Sequence, residues 1–276
     1  MSPEPAAAPD GDRAVPAAGS AAAPEAAAAS AGTAVRIDIV PAAPYWALCA
    51  ASAASPPAEA VHRRRIRAAF ARPAVLPVPA LPPVAGLGAF GIDAGVDLRT
   101  GQRLTGREWE HRCAQLTGDE RSAALAAHPA VGVAAVLAAR SGGALRPWPV
   151  SASPARPGGA PQTHPGGAPD HLVLPIDLSA ASTADGPLAA VPGAEEFDAA
   201  VLAALARRDA AGLRRCAAQA ERFAADLTLL LAALELAAAA GLRFAAERGA
   251  AAEASCEPVH GSRVCTATVH GHWEAA

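Results

Sequence analysis

A single carboxylate interrupts an aliphatic run in the stretch His171-Leu-Val-Leu-Pro-Ile-Asp-Leu-Ser-Ala180. The run predicts a buried β-strand, and Asp177 lies where that strand would reach the surface. Open α/β sheets bind their ligands just outside the carboxyl ends of the strands. Asp177 is therefore a candidate ligand or general base, and the alternative is a cap or hydrogen-bond anchor for the Leu-Ser-Ala turn that follows it.

Three further side chains could serve the same site. His128 directly precedes Pro129 at a predicted helix start. It is a candidate catalytic residue, and a capping or packing role is the alternative. Tyr45 is the only tyrosine of the chain and adjoins Trp46. This aromatic pair could line a pocket, and core packing is the alternative.

Cysteine and histidine recur near the C-terminus, at Cys256, His260, Cys265, His270 and His272. These side chains could approach one another across a hairpin, and Cys/His sets bind zinc. The spacing lacks a Cys-x-x-Cys pair and the His-His spacing that accompanies it in zinc sites. We keep His270 and His272 as candidate metal ligands, with solvated histidines at a strand end as the alternative.

The composition excludes several classes of function. The chain has 276 residues without lysine or asparagine, and its 23 basic residues are all arginines, which is typical of a GC-rich genome. The net charge of -3 is spread over both signs without long runs. We therefore expect no nucleic-acid partner and no anionic-membrane partner.

The segment at residues 1–33 is rich in Ala, Pro, Gly, Ser and Glu, which predicts a disordered tail. Residues 34–274 then form one predicted domain, with a flexible Pro/Gly loop at 154–169. The odd number of cysteines and the acidic, Pro-broken N-terminus favour thiols in a reducing cytoplasm. The most apolar stretch, Leu227 to Leu242, contains Glu235 and is too short to span a bilayer.

Hydrophobic periodicity predicts alternating strands and helices. The predicted strands are Ala34–Val40, Ala74–Val78, Gly88–Ile92, Leu145–Val150, His171–Ile176, Leu242–Phe244 and Ser262–His270. The predicted helices are an alanine-rich helix after Trp46 to Ser55, Thr105–Gln115 with a Thr105/Glu108 capping box, Asp119–Ala127, Pro129–Gly142, Glu195–Ala206, Asp209–Gln219, and Leu227–Ala240 capped by Asp226. This order predicts a single α/β domain with a central, mostly parallel or mixed sheet flanked by helices.

The order of these elements resembles the Memo family and the wider class III extradiol ring-cleavage dioxygenases. Ile37-Asp-Ile-Val-Pro-Ala-Ala-Pro-Tyr45 is similar to the family's strand ending in a Pro-His-Ala-Gly-Tyr loop. Ala127-His-Pro-Ala-Val-Gly-Val-Ala-Ala-Val-Leu137 resembles its Glu-His-Ser-Leu-Glu-Val-Gln helix. Pro175-Ile-Asp-Leu-Ser-Ala180 resembles its Ser-Ser-Asp-Leu-Ser-His strand end. Two later blocks continue the resemblance, Ala224-Ala-Asp-Leu-Thr-Leu-Leu-Leu231 at a Cys-Gly turn and Val264-Cys-Thr-Ala-Thr-Val269 at the closing strand.

The resemblance implies a metal site of histidines, an aspartate and, in the Memo branch, a cysteine. Here Ala42 and Ala180 stand at two of the histidine positions, and the cysteine position falls near Ala224 or Ala225. A further histidine is missing after the strand that the resemblance places around Ile66 to Pro73. Of the implied set only Asp177 and His128 remain, and transition metals usually need three or more protein ligands.

Three hypotheses for function follow. The first is a non-catalytic, degenerate member of this fold without a cofactor, which binds a small molecule or a protein partner at the former metal cleft. Its cleft residues would be Tyr45, Trp46, Ala42, Ala180 and Ala225.

The second hypothesis is an iron-dependent ring-cleavage dioxygenase whose ligands have moved to Asp177, His128, His270 or His272, with zinc as the other metal to consider. The third is an interaction module that uses the tail and the Pro/Gly loop. The resemblance also makes a homodimer conceivable.

Overall fold

A computed structural model describes residues 32–49, 56–148, 168–184, 187–246, 253–259 and 262–276. The strands are β1 (Thr33–Pro41), β2 (Ala74–Leu76), β3 (Val84–Gly86), β4 (Ala94–Asp97), β5 (Gln102–Thr105), β6 (Leu145–Pro147), β7 (His171–Ile176), β8 (Leu242–Ala246), β9 (Glu253–Ser255), β10 (Pro258–Val259), β11 (Ser262–Arg263) and β12 (Thr266–Ala275). The helices are α1 (Pro44–Leu48), α2 (Pro57–Ala69), α3 (Arg107–Ala114), α4 (Gly118–Ala126), α5 (Pro129–Ser141), α6 (Ala194–Arg207), α7 (Ala210–Ala217) and α8 (Thr228–Ala239).

The main sheet has the strand order β6-β2-β7-β1-β12-β8, and β9 also pairs with β12. Strands β6, β2, β7 and β1 are parallel to one another. Strand β12 runs antiparallel to β1, β8 and β9. The prediction of one α/β domain with a mixed central sheet flanked by helices is thus confirmed.

Successive side chains of the inner strands point to opposite faces of the sheet, so the interior has two apolar layers. Ile39 of β1 faces one layer, whereas Val40 faces the other. Strand β7 is buried along its whole length because both of its faces are covered, which explains its continuous aliphatic run. Helices α1, α2 and α5 contribute to the Val40 layer, and α6, α7 and α8 contribute to the Ile39 layer.

A second, small antiparallel sheet of β3, β4 and β5 packs beside α5. Gly132 lets α5 approach β3 closely, because a Cβ atom at this position would lie 2.1 Å from the carbonyl oxygen of Gly86. This sheet was not predicted. The predicted strand at Gly88–Ile92 is wrong, since Gly88–Phe90 is a 3-10 turn between β3 and β4.

Two other local predictions are corrected. Thr105 ends β5 opposite Ala94, so it forms no capping box, and α3 begins after Gly106 without a side-chain cap. The capping box instead joins Thr117 and Glu120 at the start of α4. Ile66 lies within α2, so the strand expected around Ile66 to Pro73 is also wrong.

Most of the predicted tail at 1–33 and of the loop at 154–169 lies outside the described residues, as do residues 50–55 of the predicted alanine-rich helix and residues 149–150 of a predicted strand. The interaction-module hypothesis therefore stays a prediction. Within the described ranges, no single helix has the length and apolar character to cross a membrane, although α4 and α5 together, bent by 96°, meet that criterion.

A hydrogen-bond network around the buried Asp38 crosslinks three strands at the point where β7 begins. Both carboxylate oxygens of Asp38 accept from the Arg36 guanidinium, at 2.7 and 2.9 Å, and Oδ1 also accepts from Thr268 at 2.6 Å. His171 Nε2 lies 2.8 Å from Asp38 Oδ2, and its Nδ1 lies 3.0 Å from the Pro73 carbonyl oxygen. Because the carbonyl only accepts, Nδ1 carries a hydrogen.

This network leads to a prediction for Asp38→Asn. Burial alone would raise the pKa of Asp38, but the hydrogen bonds from His171, Arg36 and Thr268 outweigh it, so the pKa is lowered from its usual 3.8. The carboxylate therefore stabilises the fold above pH 3.8, and that contribution is lost as the pH falls through the lowered value. We expect the variant to lose about 3 kcal/mol of unfolding free energy at pH 7.

Urea unfolding of the wild type and of Asp38→Asn, at pH 7 and at the lowest pH at which both still fold, checks this expectation. The difference in unfolding free energy between the two proteins should be smaller at the acidic pH. Asp170→Asn changes an exposed carboxylate next to the network and is the matched control, expected to match the wild type. A gap of the same size at both pH values would contradict the role of the charged carboxylate.

Candidate functional site

Asp177 lies just past the carboxyl end of β7, beside the carboxyl end of β1. Its Oδ1 atom accepts the backbone N–H groups of Ala42 and Ala43, each at 3.0 Å. The N–H of Ala42 also points to the Ile176 carbonyl oxygen at 3.0 Å. Asp177 thus anchors the loop that follows the neighbouring strand and leads into α1.

A different residue holds the turn after Asp177. The N–H of Ser179 donates to Asp198 Oδ1 of α6 at 2.8 Å, and the Ser179 hydroxyl donates to the Phe223 carbonyl oxygen at 2.8 Å. Asp198 was not singled out in the sequence, because a lone carboxylate within an amphipathic helix resembles a solvated one. The expectation that Asp177 anchors its own Leu-Ser-Ala turn is therefore replaced by a longer-range contact.

Asp226 joins Asp177 at the site, although the sequence indicated only a helix cap. Each of the two residues donates its backbone N–H to the other's carbonyl oxygen, at 2.9 Å in both directions. Asp226 Oδ1 accepts the N–H of Thr228, the first residue of α8, at 3.0 Å, but the N-cap position is Leu227 and not the predicted Asp226. Its Oδ2 atom lies 3.5 Å from His128 Nε2.

His128 caps α5 through its ring. Nδ1 accepts the N–H of Ala130 at 3.3 Å, so the hydrogen of a neutral imidazole lies on Nε2, facing Asp226. The capping alternative for His128 is thus what the structure shows. The fold nonetheless brings Asp177, Asp226 and His128 together from three distant parts of the chain.

The carboxyl group of Asp177 titrates near neutrality. Burial is the largest cause, and the nearby Asp226 charge adds to it, while the N–H groups of Ala42 and Ala43 oppose both. The resulting pKa is about 7. Carboxyl groups with such pKa values often mark functional sites, but structural networks raise them as well.

The residues expected to line the former cleft lie in different surroundings. Ala42 and Trp46 are almost fully buried in the Val40 layer. Tyr45 donates its hydroxyl hydrogen to Glu59 Oε1 of α2 at 3.0 Å. Ala180 lies half-buried in the turn after β7.

Ala225, the fifth expected cleft residue, packs against the Ile39 layer, and its N–H donates to the Ala220 carbonyl oxygen at 3.0 Å. Ala224 before it has a left-handed backbone with φ of 48°. This turn delivers Asp226 to its pairing position with Asp177.

The C-terminal histidines lie at the other end of β1 from Asp177. His270 is exposed and pairs in register with Arg36, and His272 lies 2.9 Å from Glu274 Oε1. They belong to β12, an inner strand of the sheet. Of the described residues in that cluster, only Cys256 and Cys265 approach each other across a hairpin, as expected. His260 lies outside the described residues.

These donors do not fit the metal centre that the family resemblance implies. Ala42 and Ala180 offer no side-chain donor, and Oδ1 of Asp177 is occupied by two N–H groups. In the part of the chain that the structure describes, no three His, Cys, Asp or Glu side chains are grouped so as to hold a metal ion. Asp177, Asp226 and His128 therefore converge as residues that hold one another and the adjoining backbone in place.

A cavity of about 710 Å³ opens beside His128. Its walls come from β3, the turn after β3, α3, α4 and the first turn of α5, and most of the lining side chains are small or aliphatic. Among the lining residues, Trp109, Cys113, Arg121 and His128 carry polar atoms in their side chains. Of the residues expected to form the site, only His128 reaches this cavity.

Trp109 forms one wall because two glycines leave room for its indole ring. A Cβ atom on Gly86 would lie 2.3 Å from the ring, and one on Gly95 would lie 2.5 Å from it. The sequence signal that could have identified Trp109 is a lone aromatic residue in an otherwise polar helix, at Arg107–Ala114.

Comparison of the chain with protein-family models, with curated proteins and with solved structures finds no match.

The raised pKa of Asp177 gives a testable pH dependence. Because the folded pKa lies above the unfolded value, the stabilising effect of protonated Asp177 is present at acidic pH and is lost as the pH rises through about 7. Asp177→Asn keeps an oxygen that can accept from Ala42 and Ala43 but cannot ionise. Between pH 5 and 8 we expect the wild type to lose about 2 kcal/mol more stability than this variant.

Urea unfolding at intervals between pH 5 and 8 measures this difference. Asp177→Ala is the comparison that removes both the charge and the acceptor, and we expect it to be less stable than Asp177→Asn throughout. Parallel pH profiles for the wild type and Asp177→Asn would contradict the titration of Asp177 in this range.

Proposed function

We propose that the protein is a non-catalytic binding protein, and that it holds a small, flat, mostly apolar molecule with one anionic group. The site would be the cavity beside His128, between α3, α4, α5 and the small sheet. The observation that carries the proposal is the cavity itself, because about 710 Å³ is a typical volume for a small-molecule site.

The lining supports an apolar ligand with a flat surface. The indole of Trp109 lies against the glycine backbone of β3 and β4 and presents a planar wall, which favours stacking with another planar group. Leu125 is 81% exposed at the cavity, which is unusual for a large aliphatic side chain. A ligand that covers Leu125 would remove apolar surface from water.

The charged residue of the lining supports an anionic group on the ligand. Arg121 is exposed at the cavity, and a guanidinium pairs well with a carboxylate or sulfonate. No acidic residue is among the described lining side chains to compete for this charge. An anionic ligand is therefore preferred over a cationic one.

The raised pKa of the Cys113 thiol and the contacts of the His128 ring favour binding without catalysis. Burial raises the pKa of the Cys113 thiol above its usual value, although Arg112 and Arg121 oppose this. A thiol with a raised pKa is a weak nucleophile at neutral pH. His128 uses one ring nitrogen to cap α5 and directs the other towards Asp226.

The fluorescent probe 1-anilinonaphthalene-8-sulfonate, a planar aromatic with one sulfonate, tests the proposed site. We expect it to bind at about one equivalent, and we expect Ala124→Phe, which fills the cavity from α4, to weaken binding at least about tenfold. Ala123→Phe is the matched control because Ala123 neighbours it on the exposed face of α4 and does not line the cavity.

Arg121→Gln should weaken the same probe by a smaller factor, through loss of the charge pair. The urea unfolding midpoints of all variants establish that each protein is folded under the conditions of the binding measurement. Equal probe binding by Ala124→Phe and Ala123→Phe would contradict the proposed site.

Metal analysis separates binding without a cofactor from the iron or zinc alternative. Protein purified without a histidine tag, then equilibrated with Fe(II) or Zn(II) and desalted, should retain far less than one equivalent of either metal. The physical reason is that two backbone N–H groups occupy Asp177 Oδ1, and alanine stands at two of the ligand positions that the family resemblance implies. Near-stoichiometric metal that is lost in Asp177→Ala would overturn the non-catalytic proposal.

A further inference from the structure

One continuous register connects two C-terminal strand pairings, β9 with β12 and β10 with β11. Strands β9 and β12 pair Ser255 with Thr266, and β10 and β11 pair Pro258 with Arg263. One step beyond Ser255 and Thr266, the same register places Cys256 opposite Cys265, and two more steps lead to Pro258 and Arg263. The two cysteines are therefore directly opposed in an antiparallel hairpin.

The position of this pair in the ladder brings the side chains close together. The N–H of Val264 donates to the Glu257 carbonyl oxygen at 3.3 Å, which makes that pair a hydrogen-bonded one. Its neighbour, Cys256 and Cys265, is then a non-hydrogen-bonded pair, in which facing side chains approach most closely. The two Sγ atoms lie 3.3 Å apart, and both cysteines are free thiols.

We propose that Cys256 and Cys265 are a redox modification site, at which a low-molecular-weight disulfide such as oxidised glutathione converts the two thiols into an intramolecular disulfide. The Sγ atoms need to approach by only about 1.3 Å to reach bonding distance, and the register already aligns their Cβ atoms. This inference is independent of the cavity and of the proposed ligand.

Exposure assigns different roles to the two thiols. Cys256 is partly exposed, whereas Cys265 is 4% exposed and packs in the Ile39 layer. The hydrogen bond with Cys265 lowers the pKa of Cys256, with Arg263 and Arg65 adding to the effect, and it raises the pKa of Cys265. Cys256 is therefore the thiol that meets the oxidant, and Cys265 is the one that resolves the intermediate.

The exchange balances in two steps. The Cys256 thiolate attacks one sulfur of glutathione disulfide, forming a mixed disulfide and releasing a glutathione thiolate, which takes up the proton that Cys256 lost. The Cys265 sulfur, losing its proton, then attacks Cys256 Sγ and releases a second glutathione, which takes up that proton. The protein is oxidised by two electrons, and the glutathione disulfide is reduced to two thiols.

The disulfide would fasten the outer part of the hairpin to the main sheet. Val259 of β10 is buried in the Val40 layer, where it packs with residues of α2 among others. On the inner side of the cysteines, Thr266 Oγ1 lies 2.9 Å from His62 Nδ1 of α2. A crosslink between these two contacts would hold both strands of the hairpin against α2.

The test equilibrates full-length protein with glutathione buffers from fully reduced to fully oxidised, followed by acid quenching, alkylation of remaining thiols, and tryptic mass spectrometry. Trypsin cleaves after Arg248 and Arg263, so the disulfide would join peptide 249–263 to peptide 264–276. We expect this linked pair in oxidised buffer, about 2 Da lighter than the sum of the two reduced peptides. Cys216, which is buried without an opposed cysteine, should stay alkylatable and is the internal control.

Two single variants identify the roles of the thiols. Cys265→Ser should retain glutathione on Cys256, because the resolving thiol is gone, and Cys256→Ser should leave Cys265 largely unmodified, because it is buried. Wild-type protein that is still folded by circular dichroism, yet shows both cysteines alkylated in the most oxidised buffer, would overturn the proposal. A stable glutathione adduct on wild-type Cys256, or a disulfide from Cys256 to another cysteine, would overturn it as well.

Discussion

The Asp177 carboxylate joins the carboxyl ends of the two central parallel strands, and the arrangement around the candidate site depends on this contact. One oxygen accepts two backbone N–H groups from the loop after β1, and the backbone of the same residue pairs with Asp226 before α8. Asp226 in turn faces His128 at the start of α5. This one acid thereby links three segments of the chain. Burial, together with the nearby Asp226 charge, raises its pKa to about 7.

Asp177 anchors backbone at the carboxyl ends of β1 and β7, and it is not among the residues that line the cavity. Asp177 and His128, which the sequence marked for chemistry, hold backbone segments together, whereas the cavity lies between the small sheet and α3, α4 and α5. Its wall depends on close backbone packing, since Gly132 brings α5 against Gly86 and Gly86 makes room for Trp109. The proposed ligand site therefore lies in a part of the fold for which the resemblance to a known family gave few expectations.

The accuracy of the predictions followed how local each signal was. Strand β7 and helix α5 were predicted nearly to the residue, because a buried aliphatic run and a helix bounded by Pro129 and Gly142 are self-contained patterns. The small sheet was missed because its strands have only three or four residues and contain glycine and charged residues. The capping box was placed one helix too early, since Thr105 has the right spacing but is paired in a strand, and Thr117 forms the box instead.

The sequence by itself determined the order and type of most elements and the mixed α/β character of the fold. These properties depend on periodicity and residue identity, which need no knowledge of distant neighbours. Only the tertiary structure decided what Asp177 binds, because its acceptor contacts join residues 135 and 134 positions apart. The same holds for the pairing of Asp226 with His128, the cavity beside Trp109 and the opposition of Cys256 and Cys265, since each is created by packing or strand register rather than by local sequence.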